Sequence, residues 1–152
     1  MIDDPSLYKR LIRYLNVLLP GATVNDALGC GTDGAVWSTS RGTAIKVFRR
    51  ESGYLNERDA YRRLAAFGVV DWLAGFRVPE MVGSDDRLMV VEMDLMQTPP
   101  YIVDFAKVRI DRSPEFSIET IAENERQGRE LFDDLWPQVR ALLEALESYQ
   151  IY

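Results

Sequence analysis

The chain has 152 residues, 47% of them hydrophobic, 28% charged and 11% aromatic, which is the composition of a globular domain and excludes a disordered tail or a collagen-like fibre. Its 18 basic and 24 acidic residues leave a net charge of −6, so the basic footprint of a nucleic-acid binder is missing and no nucleic-acid partner is expected. Histidine is absent and Cys30 is the single cysteine, which excludes Ser-His-Asp and Cys-His catalysis, a His-ligated or structural zinc site and an internal disulfide.

Asp4-Pro5 opens a first helix, with Asp as N-cap and Pro at the first helical position. Leu7, Leu11, Leu15 and Leu18 follow at helical spacing, and Pro20-Gly21 closes this first unit, residues 1–21. From Ala22 to Arg50 the texture is that of strands. The runs Thr23–Leu28, Ala35–Thr39 and Thr43–Phe48 are joined by a glycine-rich bend and by the turn Ser40-Arg41-Gly42, an antiparallel meander. Glu51 to Phe67 reads as a helix with Tyr54, Glu57, Tyr61, Leu64 and Ala65 on one face and Gly68 as its stop.

After a loop, Val78–Gly83 and Arg87–Met93 flank Ser84-Asp85-Asp86 as a second hairpin, its second strand apolar enough to be central. Residues 94–100 form a connector, with Thr98 as the cap of a helix near 101–108. Ser117 to about Leu131 is an acidic, weakly amphipathic helix. Pro137 to Tyr149 carries the stripe Val139, Leu142, Leu143, Leu146 and Tyr149 and reads as a core-facing helix. Strands early and helices late make an α+β layout rather than a parallel doubly wound sheet. No apolar run reaches the ~20 residues of a bilayer span, and no signal peptide opens the chain, so a cytoplasmic protein without membrane attachment is expected.

Leu28-Gly29-Cys30-Gly31-Thr32-Asp33-Gly34-Ala35-Val36 fits G-x-G-x-x-G-x-V. A dinucleotide-binding fingerprint would need a helix after the glycines, whereas here a β-branched and aromatic strand follows. Strand-loop-strand is the setting of the glycine-rich loop that covers triphosphate oxygens, where a missing Cβ lets backbone N–H groups approach. That pattern asks for a Lys in the third strand, and Ala44-Ile45-Lys46 supplies it. Three of the 18 basic residues, Lys9, Lys46 and Lys107, are Lys, so one inside a hydrophobic strand stands out. A partly buried ammonium also needs an anion. Glu57, four residues before Tyr61 on the apolar face of the next helix, is the favoured partner, with Glu51 the competitor.

On these residues the chain resembles the protein-kinase superfamily, specifically its N-terminal lobe, over roughly Ala22 to Gln97, and looks closer to bacterial protein-kinase-like proteins than to aminoglycoside phosphotransferases. The resemblance implies a five-stranded antiparallel sheet with an αC-type helix in residues 22–97, followed over 98–152 by helices from the start of the second lobe. It implies ATP as ligand, Lys46 and Glu57 as the pair that orients it, and Gly29, Gly31 and Gly34 as the phosphate loop. Leu88 to Met93 would be the fifth strand, with Val91 at the gatekeeper position. The Glu92 carbonyl and the Asp94 N–H would read the adenine beneath an apolar roof of Leu28, Val36 and Ala44. Plain core packing is the competing account of each apolar position.

The chain also departs from the pattern. Asp33 puts a negative charge at the loop tip, against the phosphates. No H-R-D-x-x-x-x-N loop occurs, hence no catalytic Asp and no Asn for magnesium. Asp104-Phe105-Ala106 lies too soon after Asp94 to be D-F-G. Magnesium with ATP is therefore expected of a full-length parent, with weak or absent nucleotide binding in this chain, which looks truncated before its chemistry. The alternative is a non-catalytic module that docks on a protein partner, or on a second copy, through Leu142, Leu143 and Leu146 of the last helix. An unrelated α+β domain whose glycines merely turn hairpins is the third reading.

Overall fold

A computed structural model describes residues 4–96 and 109–152. The helix expected near 101–108 with its Thr98 cap, and Asp104-Phe105-Ala106, lie outside the described residues. Helix α1 (Pro5–Leu18) begins where the sequence predicts, the Asp4 carboxylate accepting from the N–H groups of Ser6 and Leu7. Leu7, Leu11 and Leu15 are buried, and Tyr14 joins them, whereas Leu18 lies beyond the core and is exposed.

The meander is β1 (Val24–Cys30), β2 (Gly34–Thr39) and β3 (Thr43–Phe48). Helix α2 (Glu51–Ala66) follows, and then a short hairpin, β4 (Trp72–Leu73) and β5 (Phe76–Arg77), in the stretch read from sequence as a loop. Its two-residue turn puts both Ala74 and Gly75 at positive φ, 49° and 83°. The Asn-Gly that advertises such a turn is absent, and Ala conceals it. The second long hairpin is β6 (Met81–Asp85) and β7 (Val90–Asp94), with its turn later than expected. Pro79 has no N–H for a ladder, so pairing starts after it. Leu88 and Met89, expected in the fifth strand, belong to the turn: the Leu88 N–H bonds Asp85 Oδ1 at 2.7 Å and Met89 takes φ 50°.

The five long strands form one sheet in the order β1-β2-β3-β7-β6, every pair antiparallel. The fold is therefore α+β around a five-stranded antiparallel sheet. Alternation along the strands sends successive side chains to opposite faces. On one face Ala35, Trp37, Ile45, Val47 and Val90 meet Leu7, Leu11, Tyr14 and Leu15 of α1. Each fully buried aliphatic side chain there stabilises the fold by roughly 1.5–3 kcal/mol. Arg10 anchors the helix by donating to the carbonyls of Leu88 at 3.0 Å and Phe48 at 2.6 Å. On the other face Phe48 and Val91 pack with Tyr54, Leu55 and Tyr61 of α2.

The C-terminal part consists of α3 (Ile118–Phe132), a single 3-10 turn over Asp133–Leu135 and α4 (Trp136–Ser148). Ser117 caps α3 through the Thr120 N–H. Leu142, Ala145 and Leu146 of α4 pack with Ala60, Leu64, Leu73 and Ile151. The stripe therefore faces the core, as its helical spacing predicts. Leu142 and Leu146 are half-buried and only Leu143 of the three is exposed. Among the described residues no helix is long and apolar enough to cross a membrane.

Candidate functional site

The site is organised by the register of β3 between its two neighbours. Lys46 is the direct cross-strand partner of Val36 on β2 and of Val91 on β7, so these three share one row on the α2 face of the sheet. Ala44, two residues earlier, forms the next row with Ser38 and Met93. Ala44 and Val91 are buried and Val36 is half-buried. The ammonium of Lys46 emerges from this floor toward α2 and meets Glu57 Oε2 at 2.5 Å. It also stands 4.8 Å from the centre of the Phe48 ring, two residues along the same face, a cation–π contact that adds to its confinement.

Glu57, and not Glu51, is thus the partner of Lys46. Glu51 sits in the exposed first turn of α2, whereas Glu57 lies on the turn that crosses β3. The two side chains are 24% and 16% exposed, so the pair is sheltered enough to exceed the small value of a surface bridge, yet open enough for a ligand to reach the ammonium. One turn on, the Tyr61 hydroxyl donates to Met93 Sδ at 3.3 Å. Burial first, and then the charge of Glu57, push that hydroxyl well above the usual phenol range, so it stays protonated.

The three glycines of the loop differ in kind. A Cβ on Gly34 would lie 2.1 Å from the Val47 carbonyl oxygen, so this glycine lets β2 and β3 approach each other and is explained by the sheet alone. Gly29 and Gly31 have ordinary negative φ, and a Cβ on either would meet nothing within 4 Å. Packing does not ask for glycine at either position, although Gly29 follows a register irregularity in the β1–β2 ladder. Arg49, just past β3, shapes the loop. Its backbone N–H donates to the Asp33 carbonyl at 2.9 Å, its Nε donates to the Gly31 carbonyl at 3.3 Å, and its guanidinium also reaches Cys30 Sγ and pairs with Asp4. Under the loop tip a cavity of about 80 Å³ is lined by Asp33, Phe48, Ser52, Asn56 and Glu57, among others.

The base-reading end differs from the expectation. The Asp94 N–H, expected to face a purine, donates to the Glu80 carbonyl at 3.0 Å, and Asp94 is still in register with Thr43. That donor is committed to the sheet. Leu28, expected in the roof, is 49% exposed and contributes an open edge. Glu92, whose carbonyl was to face the base, turns its side chain to the α1 face. There, 2% exposed, its carboxylate accepts from the Tyr14 hydroxyl at 3.1 Å and from Thr43 Oγ1 at 2.7 Å. Burial, and then the neighbouring carboxylate, raise the Tyr14 hydroxyl far above its ordinary value and keep it a donor.

Comparison with known proteins finds no family model that matches the chain and no curated protein that matches it. Sequence reasoning brought together Lys46, Glu57, Val36, Ala44 and Val91. It missed Arg49, for which a lone Arg after a strand gives no signal, and the Tyr14–Glu92–Thr43 cluster, whose members are 78 and 49 residues apart.

Proposed function

We propose that this protein binds a nucleotide polyphosphate such as ATP, in the manner of the nucleotide lobe of a protein-kinase-like phosphotransferase. One observation carries the reading: a strand Lys held by a helix carboxylate at 2.5 Å, beside a loop in which Gly29 and Gly31 leave the backbone open, with nothing within 4 Å of a Cβ at either. An ammonium tethered in this way keeps its direction and still offers two further N–H donors to phosphate oxygens. Bare backbone at Gly29 and Gly31 would let phosphate approach the loop closely, while the Gly31 N–H itself donates to the Gly34 carbonyl at 2.9 Å. The order of parts along the chain also supports it, with loop, third-strand Lys and helix carboxylate falling in one meander and the helix that follows. The proposal is binding, with Lys46 and Glu57 orienting the phosphates. Phosphoryl transfer is not part of it, because the chain has no H-R-D-x-x-x-x-N match.

The test is thermal unfolding with and without ATP and magnesium, alongside calorimetric titration. At a concentration about 100 times Kd, binding stabilises by about 2.7 kcal/mol, a rise of about 5–10 °C in Tm for a domain of this size. Lys46→Ala is expected to abolish that rise, and Glu57→Gln to reduce it. An identical rise in Lys46→Ala, or no saturable binding by the unaltered chain, overturns the reading.

A further inference from the structure

The backbone from Arg109 to Asp111 has a fixed frame. Arg109 and Tyr152 exchange both backbone hydrogen bonds, at 2.7 and 2.8 Å, and the Asp111 N–H donates to the Gln150 carbonyl. Ile110 packs with Leu64 and Ile151, and the Asp111 carboxylate takes a two-pronged grip from Arg63 at 2.7 and 3.0 Å. The guanidinium groups on either side of Asp111 are a different matter. Among the described residues neither Arg109 nor Arg112 makes an ion pair or a side-chain hydrogen bond. Both line a cavity of about 640 Å³, together with Asn56, Ile110, Ser113 and Glu115. That volume falls within the range of about 300–1,000 Å³ typical of small-molecule sites.

Both arginines are exposed and line the same cavity, so an anion bound there would be attracted by both. Their planar forks match oxyanion geometry, the Ser113 hydroxyl adds a neutral donor, and among the described lining residues the charged side chains, two Arg and one Glu, are net positive. We propose that this cavity binds a phosphate-bearing small molecule, with Arg109 and Arg112 taking its phosphoryl oxygens. A macromolecular polyanion fits less well, because the chain as a whole carries −6 and would be repelled by it. The site is distinct from the Lys46–Glu57 pair, since neither residue lines it. The two meet at Asn56, which also lines the small cavity beneath the glycine-rich loop.

Inorganic pyrophosphate, without metal, is the probe, followed by backbone and arginine side-chain NMR in the unaltered chain, in R109Q/R112Q and in K46A. The expected result is saturable movement of the Arg109, Arg112 and Ser113 signals, a Kd weakened at least about tenfold in R109Q/R112Q, and a Kd within about twofold of the original in K46A. Unchanged affinity in R109Q/R112Q overturns the site, as does the absence of saturable movement. Loss of binding in K46A with retention in R109Q/R112Q assigns pyrophosphate to the nucleotide pair and overturns this proposal alone. Succinate binding as tightly as pyrophosphate overturns the phosphate assignment in favour of a dicarboxylate.

Discussion

Gly83 on β6 faces the buried cluster on the α1 side, and a methyl group added there gives a sharp test of how that cluster is built. A Cβ at Gly83 would stand 2.7 Å from the Tyr14 hydroxyl oxygen and 3.5 Å from Glu92 Oε2. The first distance is too short for any real contact and the second is ordinary. Tyr14 is 2% exposed, so its ring has no room to withdraw, and Gly83→Ala must break the hydrogen bond of 3.1 Å to Glu92. A buried carboxylate oxygen left without its donor costs about 1–3 kcal/mol, which corresponds to roughly 2–12 °C in Tm at about 2–4 °C per kcal/mol. Tyr14→Phe removes the same bond and should cost a similar amount. Combining the two is informative, because without the hydroxyl the new methyl meets only Oε2 at contact distance. Gly83→Ala in the Tyr14→Phe background should then be neutral, or slightly stabilising through the lost freedom of the unfolded chain. Urea denaturation of the four proteins reads a coupling of about 1–3 kcal/mol. Additivity within about 0.5 kcal/mol would refute the claim that one hydroxyl between β6 and β7 carries both effects.

Three further expectations follow from contacts described above. Gly34→Ala would place a methyl 2.1 Å from the Val47 carbonyl oxygen and should destabilise the fold by about 1–3 kcal/mol or more, whereas Gly31→Ala should leave stability within about 0.5 kcal/mol and weaken ATP binding; equal stability of the two variants in urea would contradict the distinction between the glycines. On α3, hydrogen bonds from Arg126 and Gln127 hold the Glu123 carboxyl down at about 2 against an ordinary 4.5. A depressed carboxyl contributes above its unfolded value and loses that contribution as pH falls from 4.5 toward about 2, so its carboxyl NMR midpoint should return toward 4.5 in Arg126→Ala, and an unmoved midpoint would refute the cause. Gly128 sits under Trp136, where a Cβ would lie 2.2 Å from the indole. Gly128→Ala should displace the ring, break its N–H bond of 3.0 Å to Glu125 and speed hydrogen exchange at that indole, and unchanged exchange would count against the packing.

What could be read in advance was local. The alternation of β3 and the helical spacing of α2 are both short-range patterns, and together they were enough to place Lys46 opposite Glu57. Spacing favoured Glu57 but left Glu51 as a competitor, and the structure decides between them by pairing Lys46 with Glu57 while Glu51 stays exposed in the first turn. The β6–β7 turn was misplaced because Leu88 and Met89 are apolar and look like strand, while what decides the matter is a side-chain bond from Asp85 and a positive φ at Met89. The commitment of the Asp94 N–H depends on where Glu80 ends up once Pro79 has delayed pairing, and no window of sequence holds that information. Tyr14 and Glu92 find each other across 78 residues, and Arg109 meets Tyr152 across the length of the C-terminal helices.

Strand β7 carries opposite chemistry on consecutive residues: Val91 enters the aromatic cluster beneath α2, and Glu92 enters the hydroxyl cluster beneath α1. Slipping this strand by a single position would exchange the two, driving a carboxylate against Phe48 and Tyr54 and an isopropyl group against two orphaned hydroxyls. Both errors penalise the same misalignment from opposite sides. The centre of the sheet is in this way keyed like an asymmetric plug, and the alignment of Lys46 with Val36 and Val91 is inherited from that keying.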